Sequence, residues 1–140
     1  MFLGEFQHTM DDKGRVILPA RFRERLSTGL VVTRGMDRCL DVWPRSAYEK
    51  RVEETRALPR EHKRARWHRR LLTSGAHDDV PDSQGRIVIP SGLREFAGLN
   101  RELVICGNDD KVEIWDLRRW EAELELAEAD FADLDEPLEF

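Results

Sequence analysis

The chain has 140 residues, of which 40% are hydrophobic and 36% charged, and its formal net charge at pH 7 is −5. These values are typical of one soluble globular domain with a heavily charged surface. No apolar run approaches the roughly 18 residues that span a bilayer, and the segment 1–5 lacks the basic and apolar regions of a signal peptide. The sequence therefore argues against a membrane-spanning or secreted protein, and we expect a protein that stays inside the cell.

The first half of the sequence predicts four strands, one short helix between them, and two longer helices after them. Pro19 suits the first turn of a helix, so we expect the short helix over 20–26. The longer helices are predicted over about 46–54 and, beginning at Pro59, over about 59–72. The strands are predicted where aliphatic and β-branched residues are bounded by turn residues, at 5–10, 15–18, 30–33 and 39–43.

The second half of the sequence repeats the first. Residues 11–19 read Asp, two polar residues, Gly, Arg, three aliphatic residues and Pro, and residues 82–90 have the same order 71 positions later. A pattern kept over so many positions indicates an internal duplication. Each half is too small to bury enough surface alone, so we expect the halves to share one core. The other elements predicted here are a helix over 93–97, strands over 102–106 and 111–115, a helix over 117–127 capped by Asp116, and a frayed or disordered acidic tail over 130–140.

Charge is segregated along the chain. Nine acidic residues and no Lys or Arg lie in 121–140, so residues 1–120 carry a net charge of +4. A cluster of cations with only Glu61 opposing them lies on the predicted helix 59–72: Arg60, Lys63, Arg64, Arg66, Arg69 and Arg70. We interpret this basic cluster as a solvated helix face, with some cations paired to acidic groups of a neighbouring subunit, in preference to a second nucleic-acid surface.

The duplicated turn Asp-x-x-Gly-Arg is the candidate functional motif. Glycine permits a positive φ angle, and an Asp at the head of a turn accepts hydrogen bonds from backbone N–H groups a few residues on. An Arg that leaves such a rigid base can present its guanidinium to phosphates or to a guanine edge, and it could also pair with the Asp four residues earlier. The alternative is two ordinary hairpins with solvated arginines. Turn formation explains the Asp and the Gly but not the Arg, which both copies retain at Arg15 and Arg86.

The chain resembles the MraZ family over essentially its whole ordered length. Either copy of Asp-x-x-x-Arg alone would be a weak signal, but the combined segments are highly specific. The first half contributes residues 1–6 and the motif Asp11-x-x-x-Arg15, followed by 16–20 and Phe22-Arg23. The second half contributes the motif Asp82-x-x-x-Arg86, followed by 87–90, and the segments 93–99 and 112–116.

This resemblance implies an α+β fold: two tandem AbrB-like (SpoVT-AbrB) β halves of the swapped-hairpin type that share one core, with peripheral helices. It implies a bacterial DNA-binding transcriptional regulator, cytoplasmic and associated with the nucleoid, that forms a ring-shaped homo-oligomer. Such proteins bind short direct repeats ahead of the division and cell-wall gene cluster that includes their own gene. On this basis we assign a first half (1–55), a basic connecting helix (56–73), a second half (74–127) and an acidic, disordered tail (128–140).

The DNA-contacting motif of that family falls on two sets of residues. Our hypothesis is that Arg15 and Arg86 reach into the DNA groove while the aspartates hold the turns. Lys13 would add a phosphate contact that Gln84 cannot supply as a cation. The predicted DNA-binding residues are Asp11, Lys13, Gly14 and Arg15 in the first copy, and Asp82, Gln84, Gly85 and Arg86 in the second.

The remaining conspicuous residues favour structural roles. Trp43 and Trp115 end equivalent strands and are predicted to anchor the core, and Cys39 and Cys106 are predicted to be buried apolar side chains without a disulfide. No histidine has metal-ligand spacing and no serine lies in a nucleophile elbow, so the sequence predicts no metal, cofactor, small-molecule ligand or enzyme activity. Two other functions stay open: an antitoxin-like DNA-binding protein whose acidic C-terminal tail binds a partner, and a purely structural oligomer.

Overall fold

Eight strands and five α-helices make up the part of the chain that the computed structural model describes, residues 1–134. The strands are β1 Glu5–Thr9, β2 Arg15–Ile17, β3 Leu30–Arg34, β4 Leu40–Pro44, β5 His77–Asp79, β6 Arg86–Val88, β7 Glu102–Asn108 and β8 Lys111–Asp116. The helices are α1 Ala20–Leu26, α2 Arg45–Arg56, α3 Lys63–Ser74, α4 Ser91–Phe96 and α5 Leu117–Ala132. This mixed architecture agrees with the predicted α+β class.

The two halves exchange strands. Six strands form one antiparallel sheet in the order β1-β7-β8-β4-β3-β5, and β2 pairs with β6 in a separate two-stranded ribbon. Strand β1 of the first half therefore lies on β7 of the second, and β5 of the second half lies on β3 of the first. Neither half can leave the other without losing strand pairing, so the halves form one structural unit.

One face of the sheet, the ribbon, α1 and α4 enclose the main hydrophobic core. Because side chains alternate along a strand, the aliphatic side chains at even-numbered positions of β3, β4 and β8 face this core. The fully enclosed side chains come from both halves, which confirms the expectation of a shared core: Val16, Leu18, Phe22, Leu26, Leu30, Val32, Leu40, Val42, Ile87, Ile89, Leu103, Ile105, Val112 and Ile114.

The opposite face of the sheet carries the longer helices. Helices α2 and α3 lie over the end that contains β3 and β4, and the first turns of α5 pack on β7 and β8. Trp43 and Trp115 are both buried here, as predicted, and Trp115 packs edge-on against Trp120 of α5. Cys39 and Cys106 are buried on this face too, which confirms their predicted burial.

Helix α3 begins later than predicted. Residues 59–62 form a separate turn, in which the His62 N–H donates to the Pro59 carbonyl at 3.3 Å, and His62 has an extended backbone. The predicted start at Pro59 is therefore wrong, because the chain turns once before it enters the helix at Lys63. Arg60 lies in this turn, whereas the other five cations of the basic cluster lie on α3.

Helix α5 runs further than predicted. Asp116 caps its start as predicted, since its side chain accepts a hydrogen bond from the Arg119 N–H. The helix continues to Ala132, so the part of the predicted disordered tail over 128–132 is helical. Alanine, leucine and glutamate are strong helix formers, and they carry the helix through an acidic stretch that has no buried residue. The rest of the tail prediction, over 135–140, lies outside the described residues. Across the described residues, none of the helices combines the length and the apolar character that a membrane crossing requires.

Candidate nucleic-acid interface

Each duplicated turn is organised by its aspartate. Asp11 accepts hydrogen bonds at Oδ1 from the backbone N–H groups of Lys13 (2.9 Å) and Arg15 (2.8 Å), and at Oδ2 from Arg15 Nε (2.6 Å). Asp82 repeats the arrangement with Gln84 N (2.9 Å), Arg86 N (2.9 Å) and Arg86 Nε (2.8 Å). One carboxylate therefore closes the turn and orients the arginine through Nε. Within residues 1–134 the outer nitrogens of each guanidinium have no hydrogen-bond partner, so they can meet a ligand.

The same contacts control the protonation of both aspartates. The pKa of Asp11 lies below its usual range because the Arg15 backbone N–H and then the Arg15 side chain stabilise the carboxylate. The pKa of Asp82 is lowered by the equivalent groups of Arg86. Because folding lowers these pKa values, the contribution of each carboxylate to stability is present above the ordinary aspartate pKa. That contribution is lost as the pH falls through the lowered value.

The two turns lie on the two ends of one ribbon. Gly14 and Gly85 both have φ near +78°. The Gly14 carbonyl accepts from Ile89 N and the Gly85 carbonyl from Leu18 N, each at 2.9 Å. Each turn is therefore fastened to the strand of the other half, which fixes the two motifs relative to each other.

The exposed face of the ribbon presents both arginines. In the β2–β6 pairing, Arg15 lies opposite Val88 and Ile17 lies opposite Arg86. Directly opposed residues share a face, so these four side chains lie on one side and Val16 on the other, in the core. Ile17 and Val88 are each 43% exposed. The two arginines occupy diagonal positions about 7–8 Å apart at the backbone, with two aliphatic side chains between them.

Two further arginines brace the turns, and sequence reasoning gave them no role. Arg23 of α1 donates from Nε to the Leu18 carbonyl at 2.8 Å and packs against Gly85 of the other half. Its repeat equivalent, Arg94 of α4, packs against Gly14 in the same way, and its Nε is buried without a hydrogen-bond partner among residues 1–134. The signal that could have found them is their spacing of 71 positions, which equals that of Arg15 and Arg86.

The glycines of the turns should not tolerate a side chain. A Cβ at Gly14 would lie 2.8 Å from the Ile89 carbonyl oxygen and 3.0 Å from Arg94, at a φ that L residues rarely adopt. We expect Gly14→Ala to lower the free energy of unfolding by about 2 kcal/mol. Gly92→Ala on α4 is the control, since a Cβ there meets nothing within 4 Å. Chemical denaturation of both variants checks this, and equal stability of the two would contradict it.

The turns differ at two positions, where Asp12 and Lys13 of the first correspond to Ser83 and Gln84 of the second. Lys13 and Gln84 are exposed, and each gives its backbone N–H to the aspartate of its own turn. The Lys13 side chain forms no ion pair within residues 1–134 and is available to an anion. The first turn therefore offers one cation and one carboxylate more than the second.

A second charged cluster lies on the opposite face of the sheet, and sequence reasoning missed it. Lys111 Nζ lies 3.0 Å from Asp41 and 3.5 Å from Glu113, next to Cys39. Burial raises the pKa of Asp41 to about 6, and burial also raises the pKa of the Cys39 thiol. The thiol and the two carboxylates are close enough to share a metal ion, but the Lys111 ammonium already supplies a cation among them. The available signal was the alternation in β4 and β8, which places odd-numbered residues on this face.

The Lys111 cluster does not join the predicted DNA-binding residues, which the structure gathers on the two turns and the ribbon. No histidine of residues 1–134 lies in that cluster or on the exposed ribbon face.

Comparison with known proteins finds matches along nearly the whole chain. A family model described as "MraZ protein, putative antitoxin-like" matches residues 1–71 and again residues 72–138, which are the two halves of the duplication. Similar proteins include one from Salinispora arenicola, 48% identical over 136 residues that cover 97% of this chain and 96% of the relative. A protein from Kineococcus radiotolerans is 48% identical over 133 residues, covering 95% and 93%, and one from Micrococcus luteus is 45% identical over 136 residues, covering 97% and 95%. Each of these three is named "Transcriptional regulator MraZ". The chain belongs to the MraZ family.

Proposed function

We propose that this protein is a transcriptional regulator that binds double-stranded DNA through the exposed face of the β2–β6 ribbon. The observation that carries the proposal is that Arg15 and Arg86 share this face, each held by an aspartate at 2.6–2.8 Å. A two-stranded ribbon fits the major groove, where arginine can pair with the guanine edge and an aliphatic side chain can contact the thymine methyl group. Ile17 and Val88 would make the latter contact, and Lys13 would bind phosphate.

A single ribbon would bind too weakly to select a promoter. Each arginine–guanine pair discriminates by about 1–3 kcal/mol, whereas specific regulators exceed their non-specific binding by roughly 4–10 kcal/mol. We therefore propose that the protein acts as a ring-shaped homo-oligomer that binds evenly spaced direct repeats, so that linked sites raise the effective concentration. The proposed target is the protein's own promoter region, ahead of the division and cell-wall genes, and the proposed location is the nucleoid.

We also infer that the halves are AbrB-like and of the swapped-hairpin type. The exchange of β1 and β5 between the halves, and the pairing of β2 with β6, support this inference. In this arrangement one DNA-binding face is made jointly by both halves, which accounts for the retention of the arginine in each copy.

The test is a gel shift on the DNA upstream of the gene. We expect affinity to fall at least tenfold when the direct repeats are reduced to one, and again when their spacing is changed by half a helical turn, about 5 base pairs. Binding should also fall steeply as salt rises, because phosphate contacts release counterions. Binding that is insensitive to repeat number, spacing and salt would contradict the proposal.

An antitoxin-like function is the second candidate. It is favoured by the description of the matching family and by the acidic C-terminal helix, whose last two turns are exposed. Deleting residues 121–140 separates the two functions. Loss of a partner that co-purifies with the full chain, with binding to a single-repeat duplex intact, would favour the antitoxin-like function.

A further inference from the structure

Helix α5 carries an apolar stripe that its own chain covers only in part. Its apolar residues recur at alternating spacings of three and four, the pattern of a coiled-coil seam. Leu117 and Trp120, at the start of the stripe, pack on the sheet beside Trp115. The stripe then continues through Leu124, Ala127, Phe131 and Leu134, of which the last three are exposed.

Beyond Trp120, the charged residues of α5 are all acidic. Six carboxylates and no cation lie between residues 121 and 134. Within residues 1–134 none of these carboxylates takes part in an ion pair. A helix with an uncovered apolar seam and uncompensated negative charge is suited to a basic, partly apolar helix.

Helix α3 has the complementary surface. Five cations lie on its 12 residues, and none of them forms an ion pair within the described part of the chain. Trp67 and Leu71, four residues apart and therefore on one side, are 49% and 44% exposed. Leu71 and Leu72 also line a groove of about 750 Å³ with Trp43 on its wall, which offers space for a large apolar side chain.

The two surfaces also match in length and spacing. The 12 residues of α3 and the 12 residues of α5 from Glu121 to Ala132 each extend about 18 Å. Lys63 and Arg70 lie seven residues apart beside the Trp67–Leu71 seam, and Glu121 and Glu128 lie seven apart beside the Leu124–Phe131 seam. In a coiled coil, salt bridges between charged residues that flank the apolar seam determine which helices pair and in which orientation.

We propose that α5 of one copy of this chain packs along α3 of a second copy. The contact joins two different surfaces, so it is a heterologous, head-to-tail interface, the kind that closes into a ring or continues as a filament. The inference deepens the proposed function, because it assigns the surfaces that hold the proposed oligomer together.

Two other partners for these helix surfaces, a second α5 and DNA, are less favourable. Pairing of α5 with another α5 would bring twelve carboxylates along one seam without a cation. DNA on α3 would satisfy the cations, but it would leave the α5 stripe uncovered and Trp67 and Leu71 in contact with phosphates.

Charge exchange tests the contact. Lys63→Glu with Arg70→Glu makes this flank of α3 acidic, and Glu121→Lys with Glu128→Lys makes this flank of α5 basic; all four residues are exposed. We expect each double variant alone to shift from the oligomer toward the 16.4 kDa monomer in light scattering. In an equimolar mixture, the acidic α5 of the first variant can pack on the basic α3 of the second, and the basic α5 of the second can pack on the acidic α3 of the first. Both contacts are then complementary in charge, so the mixture should recover the oligomer. The chain with all four substitutions should recover it as well.

Controls keep the result interpretable. Arg21→Glu with Arg101→Glu changes the net charge by the same amount at exposed sites on other elements and should leave the oligomer intact. Should a charge variant lose its circular dichroism spectrum, Leu124→Ser with Phe131→Ser tests the same contact through the apolar seam and should give folded monomers. The proposal is overturned if the acidic α3 variant keeps the wild-type mass, or if folded variants do not recover the oligomer on mixing.

The DNA proposal is tested separately in the same samples. Arg15→Ala should keep the wild-type mass, and the monomeric charge variants should still bind a single-repeat duplex in a manner that depends on Arg15. Loss of DNA binding on reversal of the α3 charges, with the mass unchanged, would assign α3 to DNA and overturn the interface.

Discussion

Replacing Arg15 and Arg86 together by alanine is expected to abolish specific DNA binding while leaving the fold intact. In the proposed complex the two guanidiniums would supply about 2–6 kcal/mol of base discrimination per protomer, so the affinity for a direct-repeat duplex should fall roughly 30-fold or more. Their ion pairs with Asp11 and Asp82 are substantially exposed, and such pairs contribute about 0–1 kcal/mol to stability. Gel shifts and a thermal melt of the same preparation measure both quantities.

The matched control removes two other ion-paired arginines. Arg45 binds Asp78 at 3.2 Å and Arg51 binds Glu54 at 3.1 Å. Both arginines lie on α2, outside the ribbon. Arg45→Ala with Arg51→Ala therefore changes the net charge equally, and we expect it to weaken DNA binding far less. If the ribbon variant and this control lost the same affinity, the arginines would act only through net charge. If the ribbon variant melted many degrees lower, Arg15 and Arg86 would be structural.

Replacing Lys111 by methionine is expected to destabilise the fold strongly, and more at pH 8 than at pH 5. Lys111 is the cation that compensates the buried Asp41 carboxylate, at 3.0 Å. Removing one member of a buried pair costs about 3–5 kcal/mol when the other stays charged. The groups facing this pair are Glu113, Cys39 and, at longer range, Arg51.

The direction of the pH effect follows from the pKa of Asp41. Burial raises this pKa to about 6 in the folded protein. Because the folded protein binds this proton more tightly than the unfolded chain does, protonation of Asp41 stabilises the fold. This stabilisation is fully present below the unfolded aspartate pKa of about 3.9, and it is lost as the pH rises through the folded pKa. Without Lys111 the pKa rises further, so at pH 5 Asp41 is protonated in the variant and the penalty is small. At pH 8 the folded variant must either ionise Asp41 without its cation or keep it protonated far above its unfolded pKa, and either state lowers stability.

Denaturation of the wild type and of Lys111→Met at both pH values measures this difference. Adding Asp41→Asn to Lys111→Met should remove most of the penalty at pH 8, since no unpaired charge remains. A penalty that is the same at pH 5 and pH 8, or that Asp41→Asn does not relieve, would contradict an electrostatic role for Lys111.

The local structure of the motif could be predicted from sequence because it depends on neighbours in the chain. A glycine that permits positive φ and an aspartate that accepts nearby N–H groups lie within five residues of each other, and the pairing of Asp11 with Arg15 follows from the same short segment. The α1 helix and the Asp116 cap were predicted correctly for the same reason. The family was identified because the duplicated motif and its flanking residues are specific in combination.

The placement of elements across the sheet could not be predicted in the same way. Alternation indicates that β1 is a strand, but it does not say which strand β1 pairs with. The three polar residues of β5 show no alternation. Both strands pair with the opposite half. The cluster around Lys111 depends on the pairing of β4 with β8, which places Asp41 opposite Glu113. The start of α3 and the end of α5 were wrong because a proline turn and strong helix formers give ambiguous boundary signals.

Fusion of the two halves into one chain gives the ribbon a polarity. A true two-fold dimer presents the same side chains at both ends and is suited to palindromic sites. Here one end of the ribbon carries Asp12 and Lys13 and the other carries Ser83 and Gln84. In the proposed complex a protomer would therefore distinguish the two directions along the duplex. Such an asymmetric binding surface is suited to sites that all have the same orientation along the DNA.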